Sequence, residues 1–343
     1  MVVKFLIGTS GWHYDDWVGR FYPRYLLKKK DDWFSFYARH FDTVEINSTF
    51  YSFPKSRTVE SWIRKVRGLD GPFTYSIKLP QSISHSTMVE GKTDEAVRSA
   101  LDFQRSCLLP LSNGGCMGML LLQLSPYFRN DRSNAGKNGI SILFDLLEAL
   151  DTDLIPTCVE FRHHSWIDEE TGSPVKEVSG WFHEHNVTTC TVDGPGSMFS
   201  VDNTTDHAYI RLHGRNRDMW FAGNRIKDVS DHYETSNMDS DMIHDGDGDP
   251  EMGFRNDAKR DTVKDTRMNR YDYLYSKQEL QGIVKKMSDL KDIKGTASVY
   301  FNNHPNGNAA FNALSLMEML GIGNTEKDFP ISSTSSQLSL TDF

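Results

Sequence analysis

The sequence predicts an α/β chain closed into a single (β/α)8 barrel of the TIM type, and three observations predict it. Short apolar, β-branched runs recur eight times along the 343 residues. Stretches of helical periodicity separate most of them, and strand alternating with helix implies a parallel sheet. The runs end in polar residues, at the side where the βα loops of a barrel build a site. A chain of this length, 38% hydrophobic and 25% charged, can bury a large core and reads as globular.

The first strand is "KFLIGTS", followed by a loop dense in aromatics, "SGWHYDDWVGRFYP", and a helix over 32–41. The second, "DTVEINSTF", precedes a helix over 59–66, and the third, "FTYSIKLP", a helix over 94–107. "GMLLLQLSP" and "PTCVEFRH" follow, with helices over 140–150 and 174–185. The sixth strand, "VTTCTVDG", reaches the seventh, "HAYIRLHG", through a link too short to promise a full helix. A helix over 276–287 precedes the eighth, "ASVYFNNH", and one over 308–320 completes the barrel. The barrel domain spans 1–322, with a polar, acidic insertion over 225–268, a linker over 323–336 and a terminal peptide over 337–343. Each strand is nearly continuously apolar, as parallel strands covered by helices should be.

At the strand ends, period-2 alternation turns Val44, Ile46, Val159, Phe161, Ile210, Leu212, Val299 and Phe301 toward the helices. The other set points into the barrel mouth: Glu45, Asn47, Lys78, Gln123, Glu160, Arg162, Asp193, Arg211, His213, Asn302 and His304. Any one of these could be a satisfied core group, but seven of eight strands ending this way argues for a site. Catalysis is expected of Glu45, Lys78, Glu160, Asp193 and His213. Asn47, Gln123, Arg162, His163, Arg211, Arg215, Asn302, Asn303 and His304 are expected to bind substrate. Two carboxylates could share acid and base work. Histidine with carboxylate could hold a divalent metal that activates water, although no H-E-x-x-H or other local ligand spacing occurs. Lys78 could form a Schiff base, or pair with Glu45 or Glu160. No G-x-G-x-x-G or P-loop occurs, so no nucleotide cofactor is expected. Of the loop aromatics, Trp17, Phe21 and Tyr22 read as a local core, and Trp12 as a substrate contact.

Net charge is −9, with much of the acid in residues 228–265, so no global basic field advertises nucleic acid. "DGDGDPE" has acids at calcium-loop spacing, but its glycine and distal glutamate are misplaced for an EF-hand. Cys107, Cys116, Cys158 and Cys190 show no C-x-x-C spacing and read as reduced, buried thiols. The N-terminal apolar run is too short for a signal peptide or membrane span. A cytoplasmic location without membrane attachment is expected.

Long, ordered stretches resemble the YecE-like family, domain of unknown function 72: "GTSGWHYDDWVGRFYP", "FDTVEINSTFYSFP", "FTYSIKLPQSISH", "LLLQLSP", "CVEFRHHSW", "YIRLHGR", "RYDYLYS" and "VYFNNHPNGNAAFNA". They cover residues 5 to about 320. The resemblance implies a TIM-type barrel related in fold to the xylose-isomerase and endonuclease IV group, and it supplies no reaction. Glu45, Asn47, Lys78, Glu160, Arg162, His163, His213, Arg215, Asn302, Asn303 and His304 lie in the shared motifs. The chain departs from the family pattern between "HGR" and "YDYLYS", where the insertion falls.

The terminal "QLSLTDF" resembles the peptide (PIP box) that docks proteins on the sliding clamp PCNA, with Gln337, an aliphatic at +3 (Leu340) and an aromatic at +6 (Phe343). The second aromatic of that pattern is missing. Clamp, and through it DNA, is thus an expected partner, and a clamp-bound pool would be nucleoid-associated. The expected function is a DNA-processing or repair hydrolase of phosphodiesterase type. The alternatives are a sugar isomerase or glycosidase using Glu45 and Glu160, and a non-enzymatic clamp-bound adaptor.

Overall fold

The computed structural model describes residues 3–195, 201, 205–217, 270–290 and 293–322. The expected insertion, the linker and the terminal peptide with Gln337, Leu340 and Phe343 lie outside the described residues, as does most of the link between the sixth and seventh strands.

Eight parallel strands are present: β1 (Lys4–Thr9), β2 (Thr43–Ile46), β3 (Thr74–Lys78), β4 (Met117–Gln123), β5 (Thr157–Glu160), β6 (Thr188–Asp193), β7 (Ala208–Leu212) and β8 (Thr296–Phe301). They run in the order β1-β8-β7-β6-β5-β4-β3-β2. The seam between β1 and β2 is joined by a parallel bridge from Ser10 to Glu45, with Gly11 N–H donating to the Glu45 carbonyl at 2.8 Å. A Cβ at Gly8 would stand 2.3 Å from the Thr43 carbonyl oxygen. Glycine is what lets β1 approach β2 closely enough to close the barrel.

Helices surround the strands: α1 (Trp33–Ala38), α2 (Ser56–Arg67), α3 (Thr93–Phe103), α4 (Leu109–Asn113), α5 (Gly139–Ala149), α6 (Lys176–Glu184), α7 (Lys277–Met287) and α8 (Asn308–Met319). Their starts are chemically marked where a cap exists. The Asn138 side chain accepts from the Ile140 and Ser141 N–H groups at the start of α5, and Ser276 with Glu279 forms a capping box on α7. The helix expected over 94–107 differs: α3 ends at Phe103, a π-helical turn spans Gln104–Leu108, and α4 then begins. Pro110 sits in the first turn of α4, where its missing N–H needs no partner.

The core has two parts. Val44, Ile46, Val159, Ile210, Leu212, Val299 and Phe301 pack outward with the helices, as the alternation predicts. Inside the barrel, Met119, Leu121, Cys158, Cys190, Tyr209 and Tyr300 form a smaller cluster. Trp17, Phe21 and Tyr22 are fully buried beneath the first loop.

The segment that re-enters the fold at residues 270–276, "RYDYLYS", is sewn down by asparagines. Asn312 Oδ1 accepts from Tyr275 N–H, and Asn312 Nδ2 donates to the Tyr275 carbonyl, both at 3.0 Å. Asn303 Nδ2 donates to the Tyr273 carbonyl at 2.7 Å, and Asn306 and Asn308 donate to the Asp272 carboxylate. Asn312→Leu would strand a buried backbone donor and acceptor at Tyr275. The expected loss is about 2–4 kcal/mol of unfolding free energy, read by denaturant titration.

Candidate active site

Arg211 is the central group. It lies on the inward face of β7, 2% exposed, between Glu45 of β2 and Glu160 of β5, both 0% exposed. Its Nε and Nη2 donate to Glu45 Oε2 and Oε1 at 3.0 and 2.9 Å, and Nη1 donates to Glu160 Oε2 at 2.6 Å. Each carboxylate has further donors. Ser10 Oγ and Tyr209 Oη donate to Glu45 at 2.6 and 2.8 Å. Gln123 Nε2 and Arg162 Nη1 both donate to Glu160 Oε1 at 2.8 Å. Burial alone would raise the Glu160 carboxyl, but Arg211, Arg162 and His213 outweigh it and hold it well below the usual range. Glu160 is therefore an ionised anchor, not a proton donor.

Beside this network, burial, with Arg211, Arg162 and Lys78 nearby, pushes His213 well below its ordinary value, so its imidazole is neutral. Its Nδ1 lies 2.9 Å from Asn302 Nδ2. Lys78 places its Nζ 3.6 Å from the centre of the Phe50 ring, a cation held on a π face. His304 stacks on Tyr14, ring centres 4.6 Å apart, and burial brings its pKa down to about 4. His163 at the rim accepts from Ser165 N–H through Nδ1 at 3.0 Å, so its proton sits on Nε2. Its pKa also falls to about 4, from burial and then the neighbouring His164 and Arg129.

The structure thus gathers Glu45, Lys78, Gln123, Glu160, Arg162, Arg211, His213 and Asn302 at one end of the barrel, with Asn47 on the same face two residues beyond Glu45. Four expectations need correction. Asp193 does not enter the mouth: Cys190 and Val192 take the inward phase of β6, so Asp193 faces the other side. There it accepts from Arg215 Nε and Nη2 at 2.9 and 2.6 Å and from Tyr275 Oη at 2.8 Å. Arg215 belongs to that outer cluster. Trp12, 2% exposed, packs edge-on against Phe34 and supplies core, not a stacking surface. Asn303 is occupied in holding the re-entry segment.

Ser10, Tyr209, Phe50 and Tyr14 were not among the expected site residues. Tyr209 had a signal, since it precedes Arg211 by two on one strand. Among the described residues no three His, Cys, Asp or Glu side chains converge as metal donors. Burial pushes the thiols of Cys107 and Cys116 up to about 12 and 11, and raises those of Cys158 and Cys190, so none is a ready thiolate. No helix among the described residues is long and apolar enough to cross a membrane.

The chain belongs to the DUF72 family, described as a protein of unknown function, whose model matches residues 6–336. It is 26% identical over 322 residues to UPF0759 protein YunF of Bacillus subtilis, covering 92% of this chain and 94% of that one. A DUF72 family crystal structure from Thermotoga maritima superposes with a TM-score of 0.65 at 28% identity, covering 93% of this chain and 99% of that one. One from Enterococcus faecalis, at 21% identity and TM-score 0.65, covers 96% and 100% and shows the shared fold.

The depressed histidines set a pH dependence. Below pH 6.5 the unfolded chain binds protons that buried His304 refuses until about pH 4, so stability falls as pH drops through that window. His304 alone accounts for about 3 kcal/mol. Urea titrations from pH 7 to 4 should show this loss, and His304→Phe, which keeps a ring against Tyr14, should remove the His304 share and leave that of His163 and His213.

Proposed function

We propose that the barrel mouth is the active site of a hydrolase that cleaves a phosphate diester, with Arg162 and Lys78 holding the phosphoryl oxygens and His213 as general base toward water. The cations gathered beside a neutral imidazole support this reading. Arg162 and Lys78 stand close enough to His213 for both to lower its proton affinity, and a phosphate diester brings the negative charge they would meet. His213 is neutral before substrate arrives. A bound anion raises its proton affinity, which equips it to take a proton from the attacking water.

The competing readings fit the same atoms less well. A glycosidase pair needs one protonated carboxyl, whereas Glu160 is held ionised and both oxygens of Glu45 are engaged. For metal-activated water, no group of three His, Cys, Asp or Glu donors converges among the described residues. The full chain assayed with bis(p-nitrophenyl) phosphate should turn over the diester. His213→Gln should lower kcat on the order of 10²–10⁴-fold, and Arg162→Ala should mainly raise KM. A rate indifferent to His213→Gln would remove the assignment.

The tail supports a location for this chemistry. "QLSLTDF" carries Gln337, Leu340 and Phe343 in clamp-peptide order, and we place the enzyme on nucleic acid at the sliding clamp PCNA. A tether raises local concentration and so offsets the weak DNA affinity expected of a net acidic chain. In a pull-down with PCNA, a chain ending at Ser336 should be lost from the bound fraction. Recovery equal to full length would discard the tether.

A further inference from the structure

We infer that the diester taken by this mouth carries free hydroxyl groups on the alcohol beside the phosphate, as a glycerol or a ribose does, and that Asn47 and Gln123 read them. The inference rests on the hydrolase reading above and names its substrate class.

The two amides stand at the C-terminal ends of β2 and β4, and both are at least nine-tenths buried. Their carbonyl oxygens, Asn47 Oδ1 and Gln123 Oε1, accept no hydrogen bond from any described residue. A buried acceptor left empty is destabilising, so two at one barrel mouth require a cause. The orientation of Gln123 is fixed: its Nε2 donates to the Glu160 carboxylate, which can only accept. The carbonyl oxygen therefore cannot be the end turned to Glu160. Asn302 lies 2.9 Å from the His213 ring nitrogen and orients that base, and takes no part in reading the alcohol.

Acceptors require donors. The non-bridging oxygens of a phosphate diester carry no hydrogen and gain nothing from an amide oxygen. They belong with Arg162 and Lys78. Hydroxyl groups supply the missing hydrogens, replacing whatever water fills the positions beforehand with bonds of the same kind. The mouth thus divides its ligand: cations for the phosphate, amide oxygens for the alcohol. A site built to bond hydroxyls discriminates against analogues without them, because its buried acceptors are then left unpaired.

The test is calorimetric binding of two diesters of equal charge to the full chain, bis(2,3-dihydroxypropyl) phosphate and dipropyl phosphate. The hydroxylated diester should bind at least about tenfold more tightly. Asn47→Leu should reduce that preference to less than about threefold while leaving the affinity for dipropyl phosphate within about twofold. Equal affinity for the two diesters would overturn the inference and leave the hydrolase reading standing. Equal weakening of both by Asn47→Leu would also overturn it, by making Asn47 structural. Binding of neither would remove the hydrolase reading itself. Uridylyl-uridine against thymidylyl-thymidine separates the two sources of such a ligand. A ribose preference as large as the glycerol preference assigns the hydroxyls to a nucleic-acid strand, and its absence assigns them to a free small molecule.

Discussion

Everything at the mouth depends on one buried guanidinium. Arg211 ties β7 to β2 on one side and to β5 on the other through three charge-assisted hydrogen bonds. Taking three charges out of water is expensive, and their mutual attraction offsets this only where every remaining lone pair is satisfied. Here Ser10, Tyr209, Gln123 and Arg162 complete the set. A Leu or Met triad could fill the same volume, so stability alone does not explain these residues. What the charges do achieve is placement. With Glu160 fixed by Arg211, its second oxygen fixes both Arg162 and Gln123, so a cation and a buried amide of the mouth share one anchor.

Much of this was legible in the sequence because a barrel strand has a strict period of two. Glu45, Gln123, Glu160, Arg211 and His213 all fell on the inward face once each strand was phased by its apolar partners. The expectation failed where a strand was phased the wrong way or a left-handed residue turned the chain. On β6 the inward positions are Cys190 and Val192, apolar groups that sequence alone would send toward the helices, and Asp193 was assigned to the wrong side. At "RLHGR" the failure is Gly214, whose φ is +88° and whose missing Cβ would stand 2.6 Å from Tyr273 Cβ. That left-handed residue turns the chain, so Arg215 leaves the face shared by Arg211 and His213 and joins Asp193 instead.

Chemistry, unlike fold, was only half legible. The pairing of Glu45 with Glu160 invited an acid and base reading, because carboxylates of similar sequence context look alike. Which one is ionised, and by what, is decided across the barrel by a residue some fifty and more than a hundred and sixty positions away. The asparagines of "NNHPNGNAAFN" show the same limit. Adjacent Asn302 and Asn303 take opposite jobs, one beside His213 in the mouth and one pinning Tyr273. Likeness to solved barrels fixes none of this, since one barrel fold supports many reactions.

The pinning asparagines also explain how the barrel accepts a long excursion after its seventh strand. The chain leaves at Arg217 and is next described at Arg270, and Asn216 Nδ2 donates to the Asp272 carbonyl at 3.4 Å, so the two ends lie side by side. Closing a loop costs entropy that grows only with the logarithm of its length, so a tenfold longer loop adds about 2 kcal/mol. Against that stand the bidentate Arg215–Asp193 pair and the bonds from Asn303, Asn306, Asn308 and Asn312 to residues 272–275. These contacts are made wholly within the barrel, by residues outside the excursion. The position of His213 and Asn302 is therefore supported by anchors on both sides of the excursion, at residues 214–216 and 272–275.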